Sequence, residues 1–260
     1  MAHRGGAGLW PENTLYAFEQ AISLGADVLE TDMHSTADGV LVLIHDDTVD
    51  RTTNGSGPVS SYTLEELKKL DAGFWWSRDN GLTFPYRGQG LTIPTLREVL
   101  QSLPETPMNI DIKQQTPSLV RPLCQMIRQH RLKDSIVVAS FPAKTIRQFR
   151  RTCPEVATSA AREEARLFIA LATLCRRAAP RSASYHALQL PAFTTRFPLL
   201  TRRFVRAAHS HNLQVHIWTV NSIGKMRQLV ELGIDGIVTD YPDRLLKMLG
   251  RSGKGAGGSA

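Results

Sequence analysis

Short apolar runs alternate with helix-period segments along most of the chain. Eight runs have the composition of strands: 28–32, 40–45, 108–113, 135–140, 157–160, 187–190, 214–220 and 236–239. Seven segments have the apolar spacing of amphipathic helices: 14–24, 96–103, 117–131, 143–151, 163–177, 198–211 and 222–232. This alternation predicts an α/β fold, a TIM (β/α)₈ barrel. A doubly wound open sheet is the alternative, but no G-x-G-x-x-G follows the first strand.

One connection departs from the alternation of strands and helices. An Asp-Gly pair at 38–39 lies between two alternating apolar runs, which is typical of a β-hairpin turn. The strand after the turn should therefore run antiparallel to the strand before it. Opposed residue numbers then sum to about 75, which predicts His45 opposite Glu30 to within about one residue.

A long segment at 47–92 interrupts the pattern and is rich in Gly, Ser, Thr and Pro, with one short predicted helix at 63–70. A segment of this length inside a compact barrel is usually functional, so it predicts a small insertion that covers one barrel end. A helix-packing cap without substrate contact is the alternative.

The two ends of the chain differ in character. Only two residues precede His3, which predicts a clipped first strand. A single domain then spans 1–249. The Gly/Ser-rich tail at 250–260 is predicted to be disordered.

The composition is that of one large soluble domain, with 42% hydrophobic and 21% charged residues. No apolar run approaches the roughly 18 residues that span a bilayer, and no signal peptide is visible. The three cysteines, Cys124, Cys153 and Cys175, lack C-x-x-C spacing. We interpret them as reduced thiols, not as a disulfide or a zinc site, which predicts a cytoplasmic protein.

The net charge of +7 is unevenly distributed. Residues 121–206 contain 17 lysines and arginines against four acidic residues, which favours an anionic partner. Solvated helix faces with surplus arginine are the simpler explanation, and peripheral contact with an anionic membrane is the sharper one. Nucleic acid is disfavoured as a partner, because no recognition motif and no interleaved aromatic residues accompany the charge.

Two carboxylates, Glu30 and Asp32, are spaced two residues apart on a predicted strand and so share one face. At a barrel mouth they would repel each other unless a cation lay between them. Oxygen ligands favour Mg²⁺, Ca²⁺ or Mn²⁺ over Zn²⁺. The alternative is one salt-bridged carboxylate and one helix cap.

The strand at 108–113 contains a second polar pair, Asp111 and Lys113, again on one face. The pair could form a simple ion pair. Beside a metal and a phosphate, Asp111 would ligate the metal and Lys113 would neutralise the phosphate.

Two histidines, His3 and His45, flank the diacid strand and are suited to proton transfer, since imidazole titrates near neutral pH. His34 is expected at the hairpin tip. The histidines at 209, 211 and 216 could bind a metal by their spacing, but are expected to be surface residues at a loop.

Seven stretches together resemble one known family, the glycerophosphodiester phosphodiesterases. These stretches are AHRGG, PENTLYAF, GADVLETDMHSTADGVLVLIHDDTVDRTTNGSG, IPTLREVL, NIDIK, VHIWTVN and LGIDGIVTDYP. They follow the family order from His3 to Pro242, nearly the whole chain. The resemblance implies a TIM barrel with a small insertion after the His-Asp motif. It also implies metal-dependent hydrolysis of glycerophosphodiesters to glycerol 3-phosphate and an alcohol.

The resemblance also implies roles for individual residues. The acid–base pair would be His3 and His45, with their division of labour left open. One divalent cation, Mg²⁺ or Ca²⁺ with Mn²⁺ as an alternative, would be held by Glu30, Asp32 and Asp111. Phosphate and substrate contacts would come from Arg4, Lys113 and Trp218. Positioning or structural roles are implied for Glu12, Asn13, Asp240 and Tyr241. The family usually has glutamate where this chain has Asp111.

Two other functions stay open. A lysophospholipase D could use the apolar segments 166–174 and 188–200, which lie within the basic region, to meet an acyl chain at a membrane surface. The simpler expectation is that 166–174 packs on the barrel exterior. A non-catalytic phosphate- or lipid-binding barrel is the second alternative.

Overall fold

The structure, a computed structural model, describes residues 1–174, 184–192 and 200–251. The strands in these residues are β1 (Ala2–His3), β2 (Leu29–Ser35), β3 (Leu41–Leu43), β4 (Met108–Ile112), β5 (Ile136–Ala139), β6 (Ala157–Thr158), β7 (Ala187–Pro191), β8 (Gln214–Trp218) and β9 (Gly236–Ile237). The α-helices are α1 (Leu15–Leu24), α2 (Leu64–Leu67), α3 (Leu96–Ser102), α4 (Val120–Gln129), α5 (Ala143–Thr152), α6 (Arg162–Leu174), α7 (Arg202–His209), α8 (Ile223–Leu232) and α9 (Pro242–Met248).

The parallel strands close into a ring of eight. Strands β1, β2, β4, β5 and β6 pair in that order, and β7, β8 and β9 form a second run. The bridge from Ser159 to Ala187 joins β6 to β7, and the bridge from Ala2 to Thr239 joins β9 to β1. The His3 amide also donates to Thr239 O across the second join (3.0 Å). The predicted TIM barrel is therefore confirmed, with β3 as an additional antiparallel strand.

The first strand is as short as predicted, yet it is held on both sides. The Ala2 amide donates to Val28 O (2.9 Å), beside β2. The Met1 amino group donates to Ile237 O (2.9 Å), at β9. Because β1 is bonded to both neighbours, two residues suffice to place His3 at the end of a barrel strand.

The hairpin is confirmed, but its register differs by one residue from the prediction. Met33 pairs with Leu43 in the antiparallel ladder, and the Ile44 amide donates to Asp32 O (3.0 Å). Strand β3 ends at Leu43, so His45 lies in the loop after the strand, not opposite Glu30. Strand β2 extends to Ser35 because the hairpin turn occupies 36–40.

The insertion at 47–92 has its own small core and lies at one barrel end. That core consists of Val42, Ile44, Val49, Val59, Leu67, Ala72 and Ile93. The Trp76 indole donates to Ala7 O (3.0 Å) and Arg78 donates to Leu9 O (3.2 Å). Ala7 and Leu9 follow β1, so the insertion packs at the carboxyl end of the barrel, where TIM-barrel sites form.

The cysteine prediction is wrong for two of the three residues. Cys124 of α4 and Cys153, which follows α5, form a disulfide and are both buried. Helices α4 and α5 pack side by side, which brings the two Cα atoms within 5.8 Å, and their separation of 29 residues gives no indication of this. Cys175 lies outside the described residues. The cytoplasmic location was inferred from reduced thiols. Because Cys124 and Cys153 are paired, they no longer support it, and the location stays a prediction.

Four predicted segments fall partly outside the described residues. The parts outside are 175–177 of the helix predicted at 163–177, 193–199 of the apolar segment 188–200, 198–199 of the helix predicted at 198–211, and 252–260 of the predicted tail. Within α6, Phe168 is buried, which agrees with the simpler expectation that 166–174 packs on the barrel exterior. Leu167 of the same helix is 55% exposed. Arg251 pairs with Asp27 (2.6 Å). Among the described helices, none combines the length and apolar character needed to cross a bilayer.

Candidate active site

Three carboxylates meet at the carboxyl end of two adjacent barrel strands. Glu30 and Asp32 lie on β2 and are buried, and Asp111 lies on β4 directly beside Asp32 in the parallel register. The two-residue period of a strand points Glu30 and Asp32 to the same face. The sequence prediction that these residues share one site therefore agrees with their positions.

Lys113 lies between two of these carboxylates. Its ammonium is 2.9 Å from Asp32 Oδ1 and 2.6 Å from Asp111 Oδ2. Burial opposes the charge on Lys113, but the two carboxylates hold the pKa of the ammonium above its usual range. Burial likewise opposes ionisation of Asp32, yet Lys113 and Arg4 lower the pKa of that carboxyl.

The other two carboxylates are less well compensated. Burial, followed by repulsion from Asp32, raises the pKa of Glu30 to about 8. Burial also raises the pKa of Asp111, against the pull of Lys113. The raised pKa values of Glu30 and Asp111 indicate that the site holds too little positive charge to compensate all its carboxylates.

The donor set fits a hard divalent cation. Asp111 Oδ1 is buried and has no hydrogen-bond partner, which is costly for a carboxylate oxygen unless a cation satisfies it. Carboxylate oxygens are the ligands that Mg²⁺ and Ca²⁺ prefer. The oxygens of Glu30, Asp32 and Asp111 do not all lie within 4.8 Å of one another in the described structure. A cation held by all three would therefore require these carboxylates to approach one another and Lys113 to leave its position between Asp32 and Asp111.

His3 is oriented by a residue from the far end of the chain. Its Nδ1 is 2.5 Å from Asp240 Oδ1, and its Nε2 is 3.9 Å from Glu30 Oε2. Because a carboxylate only accepts, Nδ1 carries the proton and Nε2 faces Glu30. Burial opposes protonation, but Asp240 and Glu30 together raise the pKa of His3 above its ordinary value. Asn221 holds the second Asp240 oxygen (2.6 Å).

Arg4 enters the site through a tight turn. It has a left-handed backbone (φ 51°) and precedes Gly5 (φ 82°), where a Cβ would come within 2.9 Å of Ala17. Only glycine fits that second position, which explains the Arg-Gly sequence after β1. The guanidinium then reaches Glu12 (2.9 Å) and Asp32 (3.2 Å).

His45 lies in a hydrogen-bonded network that sequence reasoning did not predict. Its Nδ1 is 2.6 Å from Asp46 Oδ1. Arg51 contacts Asp46 (2.6 Å) and also binds Glu12 with two nitrogens (2.8 Å each). Burial opposes ionisation of Asp46, but Arg51 and His45 lower the pKa of that carboxyl to about 2. Glu12 in turn holds Arg4, so the network joins the two sides of the mouth.

Two buried residues complete the carboxylate surroundings. Asn13 donates to Asp32 Oδ2 (3.3 Å) and accepts from Thr31 (2.7 Å), which agrees with the positioning role implied for it. His34 lies within β2 and not at the hairpin tip, so that expectation is wrong. The His34 Nε2 is 3.3 Å from His45 O, so His34 contacts the loop that carries His45.

An aromatic pair, Trp218 and Phe141, lies beside Lys113 of the charged cluster. Trp218 ends β8, and its ring meets Phe141 edge-on, with centroids 5.7 Å apart. Lys113 Nζ lies 5.3 Å from the centre of the Phe141 ring, which is 46% exposed. Trp218 therefore reaches the charged cluster only through Phe141, and its role as a substrate-pocket residue stays a prediction. A single phenylalanine after a strand gave no indication of this role for Phe141.

The remaining histidines do not form a second site. His216 lies in β8 and is 2% exposed, so its expected surface position is wrong. Strand β8 passes through the barrel wall, and burial there lowers the pKa of His216 to about 4. His209 pairs with Asp235 (2.9 Å) on the surface, and His211 packs edge-on against Phe168.

Comparison with known proteins identifies a family that this chain matches over nearly its whole length. Residues 3–244 match the model of the glycerophosphoryl diester phosphodiesterase family. The glycerophosphodiester phosphodiesterase of Caldanaerobacter subterraneus subsp. tengcongensis is 33% identical, covering 97% of this chain and 98% of that protein. Lysophospholipase D GDPD1 of Rattus norvegicus is 26% identical, covering 96% of this chain and 85% of that protein.

A solved structure with a bound product also resembles this chain. The Oleispira antarctica phosphodiesterase OLEI02445, in complex with the product sn-glycerol-3-phosphate, superposes with a TM-score of 0.72 at 25% identity. The superposition covers 96% of this chain and 95% of that one.

Proposed function

Because this chain belongs to the glycerophosphoryl diester phosphodiesterase family, we propose that its barrel mouth hydrolyses glycerophosphodiesters to glycerol 3-phosphate and an alcohol with a divalent cation bound. The chain is a phosphodiesterase by its family and its relatives. The cation, the roles of the histidines and the substrate are the parts proposed for this chain.

The two histidines are proposed to move the protons. Each has Nδ1 against a carboxylate, His3 against Asp240 and His45 against Asp46. That pairing fixes the tautomer and leaves Nε2 to exchange a proton with substrate. One histidine takes the proton from the nucleophile, either water or a neighbouring substrate hydroxyl, and the other gives one to the departing alkoxide.

Arg4 and Lys113 are proposed to hold the phosphoryl oxygens. Both cations lie against Asp32, at 3.2 and 2.9 Å, so both are at the same edge of the barrel. A guanidinium fork and an ammonium that face developing negative charge stabilise it more strongly where water is excluded. Trp218 and Phe141 would line the side of the pocket that receives the leaving alcohol.

Glu30, Asp32 and Asp111 are proposed to hold one Mg²⁺ or Ca²⁺ ion, with Mn²⁺ as an alternative. When bound, such an ion supplies positive charge for the phosphoryl oxygens and compensates the buried carboxylates. The unpartnered Asp111 Oδ1 supports this assignment. The side chain of Asp111 is one methylene shorter than the glutamate that the family usually has. This shorter reach is consistent with the separation of Glu30, Asp32 and Asp111, which is larger than one ion requires.

A single observation carries the proposal. Two histidines, each tied to a carboxylate, lie at the same barrel end as three buried carboxylates and two partly buried cations, Arg4 and Lys113. A purely structural cluster would pair all its charges within itself. Here Asp111 Oδ1 has no partner, and burial beside Asp32 raises the pKa of Glu30, so the pairing within the cluster is incomplete.

The proposal is tested with the purified chain and two soluble substrates, bis(p-nitrophenyl) phosphate and glycerophosphocholine. Activity should require Mg²⁺, Ca²⁺ or Mn²⁺ and disappear with a chelator. His3→Ala and His45→Ala should each lower kcat by about 10²- to 10⁴-fold while the metal still binds. The matched control is His130→Ala, after α4. A wild-type chain inactive with every divalent cation would favour a non-catalytic binding barrel.

A lysophospholipase D reaction is the second candidate. The half-exposed Phe141 ring beside Trp218 offers an apolar wall at the mouth, and the rat relative carries that activity in its name. Turnover of lysophosphatidylcholine and of glycerophosphocholine should be compared in the same preparation. Phe141→Ala should weaken the lysolipid reaction selectively if the wall receives the acyl chain.

A further inference from the structure

The side of the barrel mouth that carries Phe141 also carries an arginine that the proposed mechanism does not use. Arg162 is the first residue of α6, and its guanidinium carbon lies 5.8 Å from the centre of the Phe141 ring. Lys113 Nζ lies 5.3 Å from the same ring centre, and the Trp218 ring meets Phe141 edge-on. Arg162 and the proposed phosphate ligand Lys113 therefore share one aromatic neighbour.

The topology of the barrel explains this neighbourhood. Lys113 follows β4, Phe141 follows β5 and Arg162 follows β6, and these three strands are neighbours in the sheet. Residues that follow parallel barrel strands meet at the carboxyl end, where TIM-barrel substrates bind. Arg162 therefore lies at the edge of the mouth, one strand beyond Phe141.

The loop before Arg162 is held by hydrogen bonds. The Glu164 carboxylate accepts from the Ala161 amide (2.7 Å) and from two nitrogens of Arg150 (2.7 and 2.9 Å). Arg150 also donates to Ser159 O (2.8 Å). The first turn of α6 therefore has a defined position, from which the exposed Arg162 side chain can reach a ligand at the mouth.

The charge of Arg162 is not neutralised by its surroundings. Arg162 has no ion pair within the part of the chain that the structure describes, and its side chain is exposed. Glu163 and Glu164 follow it, but Glu164 pairs with Arg150, and consecutive helix residues such as Arg162 and Glu163 do not face each other. Arg166 lies four residues on and shares the side of Arg162. With all of them ionised, three arginines against two glutamates leave a net charge of +1.

These charges determine which alcohol suits the mouth. An exposed aromatic ring beside a phosphate site would by itself suit a quaternary ammonium such as choline. Here the charge of Lys113 is matched by Asp32 and Asp111, so the unmatched cation near the Phe141 ring is Arg162. A cationic alcohol would be repelled by that guanidinium. An anionic group would be attracted, because a guanidinium binds two phosphate oxygens at once.

We propose that Arg162 binds an anionic group on the leaving alcohol, so that the preferred substrates are glycerophosphodiesters whose alcohol carries a second phosphate. This inference rests on the proposed function, which places the leaving alcohol beside Trp218 and Phe141. The reaction itself is unchanged. One phosphorus–oxygen bond is broken with the consumption of water, glycerol 3-phosphate is released, and the second phosphate stays on the alcohol.

The test compares initial rates on three substrates that all release glycerol 3-phosphate. The leaving alcohol carries a phosphodiester in deacylated cardiolipin, is neutral in glycerophosphoglycerol and is cationic in glycerophosphocholine. Wild type should have a kcat/KM for deacylated cardiolipin about tenfold or more above that for the other two. Added salt should reduce this preference, since Arg162 is exposed.

Two variants of Arg162 test its role directly. Arg162→Gln should lower kcat/KM for deacylated cardiolipin by about tenfold and raise that for glycerophosphocholine, because attraction and repulsion are lost together. Arg162→Glu should reverse the preference. Opposite changes on two substrates separate a specificity role from partial unfolding, which lowers both rates. The matched control is Arg206→Gln, which removes the same charge from an exposed arginine in the last turn of α7 and should keep the wild-type preference.

The outcomes separate this inference from the proposed function. Equal kcat/KM values for the three substrates in wild type would overturn the inference and leave the phosphodiesterase activity standing. A preference that survives in Arg162→Gln, an equal loss on all substrates in that variant, or a preference lost equally in Arg206→Gln would also overturn it. A wild type inactive on all three substrates would overturn the proposed function, and this inference with it.

Discussion

At the scale of single residues, Arg51 links side chains with different proposed roles. It binds Asp46, which orients His45, and Glu12, which orients Arg4. Its own guanidinium touches neither histidine. Arg51 is therefore a positioning residue that keeps a proton carrier and a phosphate ligand in a fixed relation.

Removal of that link should cost activity without unfolding the chain. Arg51→Met is expected to lower kcat/KM by about 10- to 100-fold, because Asp46 and Glu12 lose their shared partner. Arg51→Lys should recover only part, since an ammonium cannot make both sets of contacts. The matched control is Arg128→Met, which breaks a two-contact pair with Glu155 on the barrel exterior. Equal rates for Arg51→Met and Arg128→Met would contradict the assignment.

Asp240 acts on His3 in a similar way. Asp240→Asn is expected to lower kcat by about two to four orders of magnitude, because an amide can stabilise the wrong imidazole tautomer. KM and metal affinity should change much less. Asp235→Asn disrupts the comparable pair with His209 far from the mouth and serves as the control. A wild-type kcat in Asp240→Asn would mean that His3 needs no such orientation.

At the scale of elements, the helices differ from the prediction mainly at their ends. The predicted helix at 117–131 is α4 at Val120–Gln129, and the one at 63–70 is α2 at Leu64–Leu67, with a Thr63–Glu66 capping box at its start. Helix α9 was not predicted. Its seven residues, which begin at a proline, are too few for a clear apolar period.

The disulfide between α4 and α5 leads to an element-scale prediction. A crosslink over a separation of 29 residues lowers the conformational entropy of the unfolded chain. In the loop-entropy model this raises the free energy of unfolding by about 3–4 kcal/mol. Reductant should therefore lower the urea midpoint of wild type. The double variant Cys124→Ala/Cys153→Ala should unfold at the same midpoint with and without reductant. A free-thiol count that is identical in oxidised and reduced wild type would refute the crosslink.

At the scale of the whole molecule, one buried group in the barrel wall makes stability depend on pH. His216 has a pKa of about 4 in the folded chain, through burial, against 6.5 when unfolded. Between these values the unfolded chain binds more protons, so the free energy of unfolding falls as the pH drops from 6.5 to about 4. The loss is at most about 3 kcal/mol.

The pH dependence is measured by urea unfolding at about pH 7.5, 6, 5 and 4, from above the unfolded pKa of His216 down to its folded pKa. His216→Gln should show a shallower fall than wild type over this range, since glutamine does not titrate. His211→Gln, on the surface beside Phe168, should fall as steeply as wild type. Parallel curves for wild type and His216→Gln would remove His216 as the cause.

Local periodicity in the sequence was enough to predict several features of the fold and of the site. The alternation of strands and helices specified the barrel, and the two-residue period placed Glu30 with Asp32 and Asp111 with Lys113. The Asp-Gly turn specified the hairpin, although its register and the end of β3 depended on hydrogen bonds to β2. These features need only neighbours within a few residues, so a linear pattern suffices.

The contacts between distant parts of the chain could not be predicted, because they depend on how the barrel closes and packs. Asp240 reaches His3 across 237 positions because β9 closes against β1. Arg51 reaches Glu12 across 39 positions because the insertion folds back over the first loop. The disulfide arises in the same way, from the packing of α4 against α5. No periodicity relates residues so far apart, since their distance is set by how the whole ring packs and not by the chain between them.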